Sequence, residues 1–301
     1  MSDVSIILAS AVRLTAPIAF AGAGEYVAER GGSLIISIEG MMLSGAFFGI
    51  LGSSVFGNPA LGLVCGMAAG LLMGLIHANL SHRLDANTFV VGLTLNILAL
   101  GMTSFLLETI DMTPHRAGEI KVPLLHNLPV IGDPLFVNRW PVYLLLIAVP
   151  LSWYIVQHTR WGLELRACGE DPQAADVTGI DVNKRRRQGV CWVGLMAGLG
   201  GACLSVAQVG LFNQNMTAGR GFIVNAAVIF GGWRMSGAVA GCFLFGAADA
   251  MRLALPAVGY TIQPQLLIVA PYVAALLAMC FFAKRNRRPE ALARPFIRGI
   301  T

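Results

Sequence analysis

The chain is built from apolar runs about as long as a bilayer is thick, and this restricts what it can fold into. A hydrocarbon core of about 30 Å is crossed by roughly 20 apolar residues in a helix. Runs of that kind lie near 4–25, 59–80, 88–108, 140–157, 188–212, 237–255 and 265–283. In lipid every backbone N–H and C=O must find its partner within the protein, so runs of this length predict spanning helices. The fold class is therefore all-α and polytopic. Composition agrees: 56% of the 301 residues are hydrophobic and 12% charged, against about a quarter charged in soluble domains.

Two further stretches are apolar but interrupted. "ERGGSLIISIEGMMLSGAFFGI" within 30–55 and "AGRGFIVNAAVIFGGWRMSG" around 219–235 carry Gly pairs and charges unsuited to a plain span. Broken or partly re-entrant helices are expected at both, for about 8–9 membrane helices in all.

Orientation follows from charge. Of the 21 Lys and Arg, 12 fall in residues 158–187 and in the tail from Lys284, the asymmetry of cytoplasmic segments. The net charge of +5 thus reflects membrane topology, and no nucleic-acid partner is implied. Loop 158–187 and tail 284–301 are expected inside, and the Pro-rich loop 109–139 outside. Counting back through the spans puts the N-terminus outside and "SHRLDAN" (81–87) inside. The first residues lack a basic start and a small-residue cleavage site, so they are expected to be retained as a membrane segment.

"LMGLIHANL" at 72–80 and "LFGAADAMR" at 244–252 echo one another at a constant offset of 172. Charge-based topology makes their helices antiparallel. Two inverted halves, about 1–108 and 188–283 of a single membrane domain, are the expectation, with a solute route between them.

Catalytic chemistry is thinly represented. The chain has no G-x-x-x-x-G-K-[ST] loop, no H-E-x-x-H and no G-x-S-x-G, so it is expected neither to hydrolyse ATP nor to be an enzyme of those classes. The histidines (His77, His82, His115, His126, His158) lie at or near span ends and read as interfacial groups. The six cysteines lie far apart, most of them in apolar runs, which suggests neither disulfides nor a metal site. Gly62, Gly66, Gly70 and Gly74 recur every four residues and are predicted to form one helix-packing face. Ionisable groups in apolar stretches are Glu25, Glu29, Arg30, Glu39, Asp249 and Arg252, with Arg220 and Arg234 at the ends of the second broken segment. Glu29 with Arg30, and Asp249 with Arg252, are placed to neutralise each other, which leaves Glu39 the least easily explained.

The polar loop "TRWGLELRACGEDPQAADVTGIDVNKRRR" (159–187) has its own order. Asp171-Pro172 has the form of a helix start and Gly179 that of a stop, about two turns later. A short capped helix between two spans has the form of a docking element.

These segments carry a resemblance. "GEYVAERGGSLIISIEGMMLSGAF", the loop just quoted, "GLGGACLSV", "MTAGRGFIVNAAVIFGGW", "LFGAADAM" and "PQLLIVAPYV" together resemble permease subunits of bacterial ABC importers in the branched-chain amino acid and simple-sugar permease superfamily. The similarity covers nearly the whole chain and is greatest to the second permease of nucleoside-type importers. It implies a multi-pass protein of the bacterial inner membrane that translocates a small polar solute. The implied partners are an ATPase subunit holding ATP and magnesium, a second and longer permease, an extracytoplasmic binding protein and the bilayer, with no cofactor in this chain. It also implies a coupling helix in the loop, around Glu170, Asp171, Pro172, Ala174, Ala175 and Gly179. Where the family commonly reads N-L-G-I-E-G, this chain reads Ile35-Ile36-Ser37-Ile38-Glu39-Gly40, so the solute need not be a nucleoside.

Route candidates are Ser37, Glu39, Met42 and Ser44 from one broken segment and Met216, Arg220, Asn225 and Phe230 from the other. Met and aromatic groups suit a base, and polar groups suit a ribose. The alternatives are a sugar or branched-chain amino acid permease, or, from another class, a proton-driven carrier working through Glu39 or Asp249.

Overall fold

The computed structural model describes residues 3–113, 115–121, 136–257, 269, 273 and 288–296. In chain order these form α1 (Asp3–Arg30), α2 (Ile38–Phe56), α3 (Pro59–His82), α4 (Thr88–Thr109), β1 (Glu119–Lys121) and β2 (Val137–Arg139). Then come α5 (Trp140–Tyr143), α6 (Leu145–His158), α7 (Arg160–Glu170), α8 (Pro172–Val177), α9 (Val182–Ala202), a π-helical turn (Cys203–Val209), α10 (Arg220–Phe230) and α11 (Met235–Ala257). Among the described residues, six segments are long and apolar enough to cross a bilayer: Ile7–Arg30, Ile38–Phe56, Pro59–His82, Thr88–Thr109, Trp140–His158 and Val182–Val209. The chain is an all-α polytopic membrane protein.

Helix ends fall where the sequence supplies caps. Gly57, at φ +62°, closes α2. Asn58 then caps α3 by accepting the Ala60 N–H at 2.9 Å, with Pro59 in the first turn. Asn87 does the same for α4 through the Phe89 N–H at 2.9 Å.

Helix α9 is the axis of the molecule and packs against α1, α2 and α3. Close approach there depends on glycine. A Cβ on Gly70 would lie 2.5 Å from the Gly198 Cα, and one on Gly74 would lie 3.1 Å from the Gly194 Cα, both inside the 3.5–4.0 Å optimum for carbon contacts. Gly66 fits against Gly45 and Gly198, and Gly62 against Gly49 and Ser53. The four-residue glycine face thus lies in the crevice between α2 and α9. The outer faces of α3, α4 and α6 expose Leu72, Ile97, Leu98, Leu146 and Ile147, as surfaces facing lipid or another membrane subunit do.

Several details depart from the sequence expectations. The break expected within 30–55 is confined to residues 31–37, where Gly32 at φ +86° ends α1; α2 then runs unbroken for 19 residues. The expected span 188–212 begins earlier, at Val182, and its last seven residues wind as a π-helix. Around 219–235 an 11-residue helix does form, about 16 Å long, or half a bilayer. Loop 109–139 contains an unforeseen antiparallel pair, with Glu119 opposite Arg139. That pair serves α9, because its neighbours bond carbonyls of the π-turn: the Ala117 N–H donates to Val206 O, Arg139 to Ala207 O and Arg116 to Val209 O. The expected span 265–283 lies, apart from Val269 and Val273, outside the described residues.

Candidate functional site

The break at 31–37 runs through the protein interior, so its backbone needs partners that helix geometry does not provide. For Ile35 and Ile36 they come from α1, α10 and α4, while α3 holds two hydroxyls of the break. Glu25 of α1 accepts the Ile35 N–H at 3.0 Å, and Asn225 of α10 donates to the Ile35 carbonyl at 3.1 Å. Asn96 of α4 spans the start of α2, donating to Ile36 O at 3.0 Å and accepting the Gly40 N–H at 2.8 Å. On α3, His82 Nε2 lies 3.0 Å from Ser33 Oγ, and His77 Nδ1 lies 2.8 Å from Ser37 Oγ. His77 Nε2 continues to Thr88 Oγ1 at 3.0 Å. The break is held as a fixed polar band.

The start of α10 meets this band at Glu39. One carboxylate oxygen accepts from Thr217 Oγ1 at 2.6 Å and from the Gly219 N–H at 2.8 Å. The other accepts the Gly221 N–H at 2.7 Å. Glu39 therefore caps the half-helix, with its charge at the positive end of the dipole. This explains the carboxylate that the sequence left without a partner. Gly219 at φ +84° makes the turn, and a Cβ on Gly221 would lie 2.6 Å from the Glu39 Cα.

Beside it, Arg220 donates to Met216 O at 2.9 Å and pairs with Asp249 at 3.0 Å. Arg252 pairs with the other Asp249 oxygen at 2.7 Å. Glu39 and Asp249 against Arg220 and Arg252 leave this part of the site with no formal net charge.

The remaining route candidates are placed as follows. Met42 is wholly buried in the main core cluster, and its carbonyl abuts Gly201. Ser44 is buried, and neither its hydroxyl nor Asn225 Oδ1 has a hydrogen-bond partner among the described residues. Met216 packs against the cluster that includes Phe47 and Phe212, and Phe230 stacks on Phe245 at 6.3 Å. Ser37, Glu39, Asn225 and Arg220 thus lie along one polar seam, whereas Met42 and Ser44 sit between α2 and its neighbours.

Two sequence expectations are corrected here. His77 is fully buried, not interfacial, because α2 and α4 pack on α3 and enclose its ring between Ser37 and Thr88. Glu29 forms no ion pair with Arg30 among the described residues, whereas Asp249 and Arg252 do pair. Sequence reasoning also missed Asn96 and Thr217. Asn96 sits inside an apolar run, which is a usable signal for a buried polar tie; Thr217 gives none.

In the loop, Asp171 caps α8 by accepting the Gln173 and Ala174 N–H groups at 3.0 Å, with Pro172 in the first turn. Gly179 is at φ +89° with open space around it. Ala175 is buried against Cys168 and Val182. Glu170, Asp171, Ala174 and Gly179 are exposed, and Val177 is 88% exposed, an apolar tip left uncovered. Burial pushes the Cys168 thiol beneath this helix up to about 11.

Comparison with known proteins bears on what such an assembly does. The guanosine ABC transporter permease protein NupQ of Bacillus subtilis is 35% identical, over 98% of this chain and 97% of its own. A Haloferax volcanii permease named for glucose ABC transport is 34% identical over the full length of both. The nucleoside ABC transporter permease protein NupC of Lactococcus lactis is 34% identical over 97% of this chain and 96% of its own. The family model described as branched-chain amino acid transport system, permease component, matches residues 7–285. The chain belongs to that family, as a multi-pass permease subunit of an ABC importer.

Proposed function

We propose that the solute is a neutral polar molecule, a nucleoside before a sugar, carried inward across the bacterial inner membrane. The observation that carries this is Glu39. In transporters with discontinuous helices, half-helix N-termini commonly face the anionic group of the substrate. Here the N-terminus of α10 is already taken by a carboxylate of the protein. A solute carboxylate would meet a satisfied dipole and a like charge, so the seam disfavours amino acids and suits hydroxyl-rich solutes. The names of the Bacillus and Lactococcus relatives favour the nucleoside, and that of the Haloferax relative keeps a sugar as the second reading.

Loop 158–187 then faces the cytoplasm, and α8 docks on a separate ATPase subunit that binds ATP and magnesium. Val177, exposed at the tip, and the carboxylates of Glu170 and Asp171 are the contact surface. A second, longer permease completes the route, and a binding protein delivers solute to the outer face, with the N-terminus outside and the C-terminus inside. ATP-driven movement of α8 shifts the balance between inward- and outward-facing states, which requires contacts that differ between them.

Uptake of labelled guanosine, uridine, ribose and leucine by the complete importer tests this, with the natural chain and with Glu170 and Asp171 both changed to Ala. The expected result is nucleoside uptake, lost in the double variant, with leucine excluded. Leucine uptake equal to that of guanosine would overturn the neutral-solute assignment. Undiminished uptake in the double variant would remove those carboxylates from coupling.

A further inference from the structure

A buried arginine joins the loop to the polar band. Arg186 stands in the run Lys184-Arg185-Arg186-Arg187, which from sequence is a solvated basic patch, yet it is only 1% exposed. No described carboxylate pairs with it. Its donors go instead to backbone carbonyls of three separate segments: Nε to Gly31 O at 3.1 Å, Nη2 to Cys168 O at 3.2 Å, and Nη1 to Arg294 O at 2.8 Å. Ala291 O lies 3.5 Å from Nη2.

A guanidinium offers five donors in a fixed plane, and here that plane fastens the start of the break, the end of α7 and the C-terminal segment together. Backbone bonds reinforce the joint: the Ala291 N–H donates to Gly169 O and the Ala293 N–H to Gly32 O, both at 3.0 Å. Glycine is needed for the fit, since a Cβ on Gly32 would lie 2.8 Å from Arg186 Nη2. Gly169 leads through Glu170 to the Asp171 cap of α8. Gly31 opens the band that ends at Glu39.

Resting on the permease reading above, we propose that Arg186 is the positioning residue that carries displacement of α8 into the band at 31–37, with residues 289–296 as the strap that keeps it in place. A burial this complete, with no counter-charge, is costly unless each donor is used. The carbonyls must therefore move with the guanidinium or lose it. Arg186 touches neither solute nor nucleotide, and its effect is on the ratio between transport and hydrolysis.

The test uses the complete importer in proteoliposomes with the natural chain, R186M and R186K, scoring guanosine moved per ATP hydrolysed. Hydrogen exchange of amides 31–37 is followed on adding ATP and vanadate, a readout that needs no solute. In R186M, hydrolysis is expected to persist while guanosine per ATP falls about tenfold, the scale of losing charge-assisted bonds. The exchange response is expected to stop at residue 169. R186K keeps the charge but not the fork, assembles, and falls in between. An unchanged ratio in both variants, or an equal exchange response at 31–37 in R186M, would overturn the proposal. If the natural chain moves no guanosine, the nucleoside assignment fails by itself, and the exchange response still decides the role of Arg186.

Discussion

Glu39 provides the most direct check on the electrostatics of the seam. An 11-residue helix is too short to persist on its own, so α10 depends on tertiary contacts and on its cap. In E39Q one side-chain oxygen still accepts from Thr217 and Gly219, now as a neutral acceptor. The amide NH2 replaces the oxygen that accepted from Gly221 and faces a donor. A hydrogen bond to a charged group contributes about 1.5–3 kcal/mol, and an unmet buried donor costs about 1–3 kcal/mol. The lost charge at the dipole adds about 0.3–1 kcal/mol. With partial relaxation the sum is about 3 kcal/mol, or about a hundredfold in local opening. The assay is amide exchange at Gly219 and Gly221, read by mass spectrometry in detergent, with the Asn58-capped start of α3 as an unaffected reference. E39D, shortened by one C–C bond of about 1.5 Å, should lose the cap as fully as E39Q. Exchange at Gly221 within threefold of the natural chain in both variants would refute the capping account.

Two further outcomes follow from packing and burial. G70L places a branched side chain where a single Cβ already lies 2.5 Å from the Gly198 Cα; overpacking costs of about 1–3 kcal/mol predict a lower unfolding midpoint and poor recovery of folded protein, whereas G101L, in open space, should be silent. The Cys168 thiol, pushed up to about 11 by burial, stays protonated in the folded state as pH rises through 9 and ionises only near 11. The folded protein therefore holds this proton more tightly than the unfolded chain, and the group contributes stability that is lost as pH rises from about 9 to 11. Alkylation of Cys168 at pH 8 should be slow until the protein is unfolded, and labelling as fast as that of a free thiol would contradict its burial.

Much of the scaffold is legible in the sequence because its causes are local. Asn58-Pro59 and Asp171-Pro172 announce helix starts through side chains that reach only two or three residues onward. The glycine spacing in α3 is equally local, since one helix alone places Gly62, Gly66, Gly70 and Gly74 in a row. The site is less legible because its causes are distant. Glu39 acquires its role from amides 180 and 182 residues away. Arg186 looks like its solvated neighbours because composition does not reveal which member of a basic run turns inward. His77 reads as interfacial because it lies three residues from the end of the run 59–80, whereas in the fold Ser37 and Thr88, distant or across a turn in sequence, close over its ring. The π-turn after Ala202 has no compositional mark, and its carbonyls are satisfied in part from far along the chain, by the Ala117 N–H, Arg116 and Arg139.

The two interruptions also complete each other. The carbonyl before α2, at Ile35, is satisfied by Asn225 of α10, and the N-terminus of α10 is satisfied by Glu39 of α2. Neither segment can shift alone without exposing unpaired backbone in a setting with little water to replace the partner, at several kcal/mol per group. Separating α2 from α10 by even 2 Å would break Thr217, Gly219 and Gly221 from Glu39 and Asn225 from Ile35 together. The lower-cost motion keeps 31–39 and 217–225 as one body, carrying with it the groups that tie it to its neighbours, Asn96 of α4 and Arg186 of α9. Alternating access in this chain should therefore hinge outside the seam, and a disulfide placed between α2 and α10 should leave transport intact; loss of transport in that variant would contradict the coupling of the two segments.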